Sequence, residues 1–461
     1  MQQIPISDLD IGPGWIHEWC LVAPDTLDLA AVANKSASYN QEKHFSAALD
    51  ARREHVAEDH WVAMTFRVDG QVDLAALEAA LHRFVARHEV LRCGFEQLAG
   101  DLRCDVMPPS DVVLQHTEVG YRDSTEAVRD HLESTFDQTI SALNWPLFRM
   151  GVVVEPQWST VYLAFDHIVC DGMSLAVAVE EIQRWYAEAA AGAVTEFEVA
   201  GSYLDFGAAQ RRRYAGMTAD GPELAYWRSF LARCGDFFPE IPLDLGIESG
   251  RMYPAENRMV QLLDDAAATA FEQLCRRHDG KLFMGVLAVA GLALGRLSGA
   301  DTYHGLMPVG ERQDPRYRSS FGWFVNTMPI SFPISADRTF PETVAAVGHA
   351  FRELIESVEV PFVKAWELLA PEYYHMRMWP YPVNFFSFLD FRRAPGAEHY
   401  DTWRPRTIPQ ASHTNTGNMW FYRNADGLHL HWITADAPTC VQAMAAYRRA
   451  VSEILAELLD G

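Results

Sequence analysis

The feature that most constrains the fold is a short apolar segment that leads through a polar turn into an amphipathic pattern. The residues "VYLAF" (161–165) are typical of a strand that is buried on both faces. After "DHIVCDG" (166–172), apolar residues recur at helical spacing: Leu175, Val179, Ile182 and Tyr186. A strand that passes directly into such a helix is typical of a sheet covered by helices.

A second strand and helix follow the same order earlier in the chain. In "WVAMTFRVDG" (61–70), apolar and polar residues alternate, which predicts a half-buried strand, and Asp73 is the expected N-cap of the next helix. Strands and helices recur in both halves of the 461 residues, so we expect an α/β chain of two units with two-layer α+β character. Helical periodicity is lost after residue 189, which places the expected units at residues 1–200 and 201–461.

The charge of the chain restricts its partners. The net charge is −24 at pH 7, so we expect no binding to nucleic acid or to an anionic membrane surface. The densest basic cluster is Arg211, Arg212 and Arg213, which is either a solvated helix face or a docking surface for a partner. The longest apolar run, residues 282–294, is shorter than the roughly 20 residues that cross a bilayer and predicts a buried helix.

The cysteines and the motif inventory give no sign of a metal or a bound cofactor. Seven cysteines without a metal-binding spacing, and no signal-peptide pattern, predict reduced thiols in a cytoplasmic protein. The sequence has no phosphate-binding P-loop, HExxH or GxSxG pattern. His429 and His431 share one face of a predicted strand, but without a third ligand they are interpreted as ordinary strand residues.

His167 is the first candidate for chemistry. It lies where a buried strand ends and a helix begins, a common place for active sites in α/β folds. A neutral imidazole accepts a proton near neutral pH, and the N–H of Gly172, at a helix start, suits a developing oxyanion. From these residues alone, a structural histidine and a general base are equally supported.

Several other segments resemble one family in its motif order. "DHIVCDG" is similar to the HHxxxDG motif of the condensation domains of non-ribosomal peptide synthetases. Further resemblances to this family are "RHEVLRCGF" (87–95), "NWPLFRM" (144–150), "YLDFGAAQ" (203–210), "MPVGERQDP" (307–315), "FGWFVNTMPI" (321–330) and "YPVNFFSFLD" (381–390). The early segments "GPGWIHEWCLVAP" and "ASYNQEKHF" (37–45) resemble polyketide-associated acyltransferases.

The resemblance implies two chloramphenicol-acetyltransferase-like subdomains in a V-shaped pseudo-dimer, with the active site at their junction. It implies a thioester donor on the phosphopantetheine arm of a carrier protein that binds in trans, a small-molecule acceptor, and no bound metal or redox cofactor. Arg211, Arg212 and Arg213 are then the candidates for carrier docking.

The resemblance also implies roles for single residues. His167 matches the second histidine of the motif and is expected to take the proton of the attacking amine or hydroxyl, and Gly172 matches the motif glycine. Asp171 matches the structural aspartate, with Arg312 as its expected partner. Asp166 departs from the family, because the motif has a histidine there.

Four residues are candidates for lining the substrate tunnel. Trp323, Asn326 and Thr327 belong to the "GWFVNT" motif, and Ser387 belongs to the late strand. For Asn326 and Thr327 the alternative is strand packing and hydrogen bonding. For Trp323 the alternative is core packing.

The sequence is thus identified as that of a free-standing condensation enzyme, as in enediyne-type natural-product biosynthesis. The resemblance implies that it joins an acyl or aminoacyl thioester to a hydroxyl or an amine, with ester formation favoured. The alternatives are an acyl-CoA-dependent or lipid O-acyltransferase, and a non-catalytic module that binds a carrier.

Overall fold

The structure is a computed structural model that describes residues 1–23, 33–56, 60–98, 101–193, 199–248, 251–335, 337–376, 379–415 and 417–460. The strands are β1 (Gln2–Gln3), β2 (Gly14–Val22), β3 (Ala33–Ser36), β4 (Trp61–Asp69), β5 (Cys93–Leu98), β6 (Asp101–Val106), β7 (Val113–Arg122), β8 (Phe148–Val154), β9 (Trp158–Asp166), β10 (Tyr253–Asp264), β11 (Thr302–Gly310), β12 (Val325–Pro333), β13 (Phe386–Asp390), β14 (Arg406–Pro409), β15 (His413–Thr414), β16 (Gly417–Arg423) and β17 (Gly427–Ala435).

The helices are α1 (Tyr39–Glu54), α2 (Leu74–Arg87), α3 (Thr125–Thr139), α4 (Gly172–Ala190), α5 (Tyr203–Tyr214), α6 (Ala225–Cys234), α7 (Asp265–Arg277), α8 (Leu282–Ser298), α9 (Phe340–Ile355), α10 (Phe362–Leu369), α11 (Pro371–Tyr374), α12 (Tyr400–Trp403) and α13 (Pro438–Asp460). Short 3-10 turns connect several of these elements, and the turn His167–Val169 lies between β9 and α4.

The chain forms two compact units, but not with a single boundary at residue 200. The first unit comprises Met1–Ala215, Arg312–Phe324 and Arg393–Gln410, and the second comprises Gly216–Glu311, Val325–Arg392 and Ala411–Gly461. Two segments of the second half therefore belong to the first unit. One of them contains β14, which pairs with β4, and pairing between residues more than 300 positions apart leaves no local sign in the sequence. Part of the expected linker, residues 194–198, lies outside the described residues.

The first unit is built around a seven-stranded sheet with the order β1-β14-β4-β9-β8-β2-β7. β9 lies between β4 and β8, and it is buried from Ser159 to Asp166, as the apolar run predicts. β4 is also central, and Trp61, Ala63 and Thr65 on its second face are buried, so the prediction of a half-buried strand is wrong. The Asp73 carboxylate accepts the N–H groups of the first turn of α2, which confirms that N-cap.

The second unit contains a five-stranded sheet with the order β13-β16-β17-β10-β15 and a separate pair of strands, β11 and β12. The apolar run at 282–294 forms α8, which is buried along most of its length, as predicted. All seven cysteines are free thiols. Within the described residues, the helices that could cross a bilayer by length and composition amount to one bent pair, α7 and α8, which meet at 93°; no single helix passes that test.

Candidate active site

The loop that carries His167 is held at both ends by the backbone. β9 ends at Asp166, and the His167 N–H donates to the carbonyl oxygen of His60 over 2.8 Å. The 3-10 turn closes with a hydrogen bond from the Cys170 N–H to the His167 carbonyl at 3.3 Å, and α4 begins at Gly172. The predicted connection from strand to helix is therefore a short turn whose backbone is held by hydrogen bonds.

The His167 side chain is half-buried and lies against an aromatic ring. The centroid of its imidazole is 4.3 Å from the ring of Trp323 and 6.5 Å from the imidazole of His44. Its Nδ1 atom is buried and has no hydrogen-bond partner among the described residues. The exposed part of the side chain is therefore formed by the other ring atoms. Burial, and next the charge of His44, lower the pKa of His167 below its usual 6.5. A lowered pKa keeps the imidazole neutral, which is the form that accepts a proton.

Asp166, where the chain departs from the family motif, forms its side-chain hydrogen bonds with His44 and Ile168. Its side chain is fully buried, and Oδ1 accepts hydrogen bonds from His44 Nε2 and from the Ile168 N–H, each over 2.8 Å. The carboxylate therefore joins α1 to the 3-10 turn. The partner, His44, is 122 positions away in the sequence.

Asp171 and Arg312 lie together. Arg312 donates from both terminal nitrogens to the Asp171 carboxylate, over 3.0 and 3.1 Å, and the two side chains are 11% and 3% exposed. Asp171 also accepts the N–H groups of Ser174 at 2.8 Å and Phe324 at 2.9 Å, so it caps α4 and holds the Arg312–Phe324 segment. That segment carries Trp323, so the contacts of Asp171 join the start of α4 to the segment on which Trp323 lies.

Two residues of this site were not found from the sequence. The Ser174 hydroxyl donates to the Gly322 carbonyl at 2.8 Å and receives hydrogen bonds from Arg312 at 2.8 Å and from the Gly322 N–H at 3.1 Å. Its position three residues after Asp171 is the only local signal, since Asp at an N-cap commonly binds that position. His44 lies within "ASYNQEKHF", which resembled the polyketide-associated acyltransferases, but no local pattern pairs it with Asp166.

The other tunnel candidates belong to the second unit. The amide of Asn326 is buried and donates to the carbonyl oxygens of Val358 and Val360 at 2.7 Å each, while its oxygen accepts the Phe362 N–H at 2.9 Å. These contacts fix the chain between α9 and α10, which is the hydrogen-bonding alternative for Asn326. Thr327 is half-buried on β12, and Ser387 is buried on β13.

The three arginines of the basic cluster differ in their surroundings. Arg211 hydrogen-bonds to the Ala37 carbonyl and to Glu42, and its guanidinium lies 4.7 Å above the ring of Tyr39, so it ties α5 to the start of α1. Arg212 and Arg213 are exposed. The exposed part of the cluster is therefore this pair.

His429 and His431 have amide partners on the second-unit sheet. Their Nε2 atoms lie 3.1 Å from Asn424 Oδ1 and 2.5 Å from Asn257 Oδ1, and burial lowers their pKa values to about 4 and about 3. Across the described ranges, no three histidine, cysteine or acidic side chains are arranged to hold a metal ion.

Comparisons with known proteins identify the family and the fold. Residues 53–372 match the condensation domain family, so the chain belongs to that family. It is 28% identical over 369 residues to the 2'-acyl-2-O-sulfo-trehalose (hydroxy)phthioceranyltransferase PapA1 of Mycobacterium tuberculosis, over 79% of this chain and 70% of PapA1. A solved structure of a PapA2 acyl transferase has a TM-score of 0.89 at 23% identity over the whole of both chains. The first condensation domain of the CDA synthetase has a TM-score of 0.71 at 17% identity, over 92% of this chain and 97% of that domain.

These similarities confirm the predicted family and the predicted mixed helix and sheet fold. The chain is an acyltransferase of the condensation domain family.

Proposed function

We propose that this acyltransferase moves an acyl or aminoacyl group from a phosphopantetheine thioester to a hydroxyl group of a small molecule, with His167 as the general base. The observation that carries the proposal is the environment of His167. It is half-buried against Trp323 and has a lowered pKa, while the neighbouring carboxylates of Asp166 and Asp171 are engaged elsewhere.

In the proposed step, His167 takes the proton of the acceptor hydroxyl as its oxygen attacks the thioester carbon. The new C–O bond forms, the tetrahedral intermediate collapses with cleavage of the C–S bond, and the proton passes from His167 to the leaving thiolate. The products are an ester and a free thiol. Gly172 is the first residue of α4, and we assign its N–H to the developing oxyanion, as the sequence predicts.

The choice of a hydroxyl acceptor is supported by the relative PapA1, whose name describes transfer to an acylated sulfotrehalose. The donor is proposed as a phosphopantetheine thioester because this group is shared by carrier proteins and coenzyme A. A carrier in trans, in natural-product biosynthesis, is the source we favour, and an amine acceptor, giving an amide, is the second outcome that the assay distinguishes.

The test is a mass-spectrometric assay of purified protein against a matrix of donors and acceptors. The donors are palmitoyl-CoA and a palmitoyl-loaded carrier protein; aminoacyl-loaded carrier is a third donor. The acceptors are trehalose, trehalose 2-sulfate and an amino acid amide. An ester product with either sugar acceptor supports the proposal. Acylation of the amino acid amide alone, at its amine, contradicts it. A preference between the carrier and CoA identifies the donor.

The activity is expected to persist into mildly acidic buffer. A base must be deprotonated to work, and burial lowers the pKa of His167, so the midpoint of the decline in kcat/KM toward low pH is expected to lie below 6.5. The measurement is the pH profile of kcat/KM from pH 4.5 to 8, with unfolding monitored at each pH. A decline that is already half complete above pH 6.5 would show that a group with a raised pKa controls the reaction.

Charge reversal of the exposed arginine pair is expected to weaken carrier binding. The double variant R212E/R213E should raise the Kd for an acidic carrier protein by about threefold to tenfold, because two rim charges become repulsive. Turnover with palmitoyl-CoA should not change. The control is R276E/R277E, which makes the same charge change on α7, where both arginines are also exposed. Equal carrier affinity in both variants would remove this surface from consideration.

A further inference from the structure

We propose that His44 is a positioning residue for the transfer reaction, which pairs with Asp166 and thereby holds His167 and Trp323 in their working orientation. The inference rests on the proposed function, because it assigns His167 as the base. It explains the one position at which the catalytic loop departs from the family motif.

His44 and Gln41 make a two-point contact with the catalytic loop. They are three positions apart on α1, so they share one face of the helix. The Gln41 amide donates to the Ile168 carbonyl at 3.1 Å, and His44 Nε2 donates to Asp166 Oδ1 at 2.8 Å. One helix therefore forms hydrogen bonds with both neighbours of His167, Asp166 before it and Ile168 after it.

The start of α1, the helix that makes this contact, is itself held by hydrogen bonds. The Ser38 hydroxyl accepts the Gln41 N–H at 3.2 Å, and the Gln41 side-chain oxygen accepts the Ser38 N–H at 2.9 Å, which is a reciprocal capping arrangement. Arg211 binds Glu42 in the next position and the Ala37 carbonyl. A helix that is held at its first turn can set the position of His44 in its second turn.

The His44 ring also supports Trp323. The two ring centroids are 5.7 Å apart with an interplanar angle of 82°, an edge-to-face contact, and Trp323 in turn packs on His167 at 4.3 Å. His44 thus contacts the site by two routes: through Asp166 to the backbone of the loop, and through Trp323 to the imidazole of His167.

The groups around His167 also shift its pKa. The charged groups that act on His167 are His44 from α1, which lowers its pKa, and Asp166 and Asp171 from its own loop, which raise it. Trp323, from the Arg312–Phe324 segment, carries no charge. Replacing His44 by a neutral residue should therefore raise the pKa of His167, and the acid limb of the kcat/KM profile should move to higher pH.

The test compares two amides at position 44. In H44Q the amide nitrogen reaches about as far as Nε2 of histidine and can donate to Asp166, whereas the shorter side chain of H44N cannot. We expect kcat of H44N to fall by about tenfold to a hundredfold, as for a small displacement of a catalytic group, and kcat of H44Q to be about tenfold higher than that of H44N. In both variants the acid limb should move to higher pH, because both remove the imidazole that lowers the pKa of His167.

Each part of the proposal would be contradicted by a different result. Equal kcat for H44Q and H44N would overturn the role of the hydrogen bond, and an acid limb that moves in neither variant would overturn the effect of His44 on the pKa of His167. If H44N does not fold, the double variant H44N/D166N, which removes the buried charge, takes its place in the comparison. His167→Ala is measured in parallel: if it retains activity, the proposed function fails, whereas if it is inactive and H44N equals the wild type, only this inference fails.

Discussion

Replacing His167 with alanine is expected to lower kcat by about 10²–10⁴-fold, the usual range for the loss of a general base. The side chain is half-buried against Trp323 at the start of a fixed 3-10 turn, and its lowered pKa keeps it able to accept a proton. The backbone of the loop is held by the hydrogen bond from the His167 N–H to His60, which alanine retains. The fold should therefore survive the substitution.

The measurement is steady-state kinetics with palmitoyl-CoA and trehalose 2-sulfate, or the donor and acceptor that the product assay selects. His167→Gln is the matched variant, because it keeps a polar side chain beside Trp323 and cannot act as a base at neutral pH. Equal losses in the two variants indicate base catalysis. Activity in H167Q, with a loss in H167A alone, would make the side chain a packing residue, and turnover near the wild-type value in both would contradict the assignment.

Replacing Arg312 with alanine is expected to lower the free energy of unfolding by about 3–5 kcal/mol, the range for breaking a buried ion pair from one side. Asp171 is 3% exposed, and it would remain buried without its cation. The same substitution removes the hydrogen bond that Arg312 donates to Ser174 at 2.8 Å. Those contacts hold the segment that carries Trp323, so loss of activity should follow loss of stability.

The free energy is measured by urea unfolding, followed by circular dichroism. Arg316→Ala is the control in the same segment: the pair Arg316–Asp314 is 70% and 40% exposed, so its loss should cost at most about 1 kcal/mol. An R312A protein of unchanged stability that is nonetheless inactive would show that Arg312 contacts a substrate.

The local parts of this site could be predicted because they depend on neighbouring residues. A continuous apolar strand, a polar turn and a helical stripe placed His167 at the end of a buried strand, and the same reasoning gave the N-cap at Asp73 and the buried helix α8. The motif order then named Asp171 and Arg312 as partners, 141 positions apart, which no periodicity could have shown.

The departures from prediction all involve contacts between distant segments. β4 is buried on both faces, and its edge pairs with β14, more than 300 positions later, so it lies inside the sheet and not at its margin. Arg211 belongs to a run of three basic residues, yet it is held by the start of α1 while its two neighbours are exposed. Hydrophobic pattern and charge runs describe a segment by itself and do not report what packs on it.

The sequence by itself determined the class of fold, because strand and helix periodicity are local properties, and the resemblance of its motifs gave the family and the histidine on which the chemistry is proposed. Only the tertiary structure decided how Asp166 is used. A carboxylate beside the base has no defined role until a partner is placed against it, and that partner, His44, comes from a helix 122 positions earlier. The energy of a buried charge depends on what surrounds it in space, and chain order does not specify this.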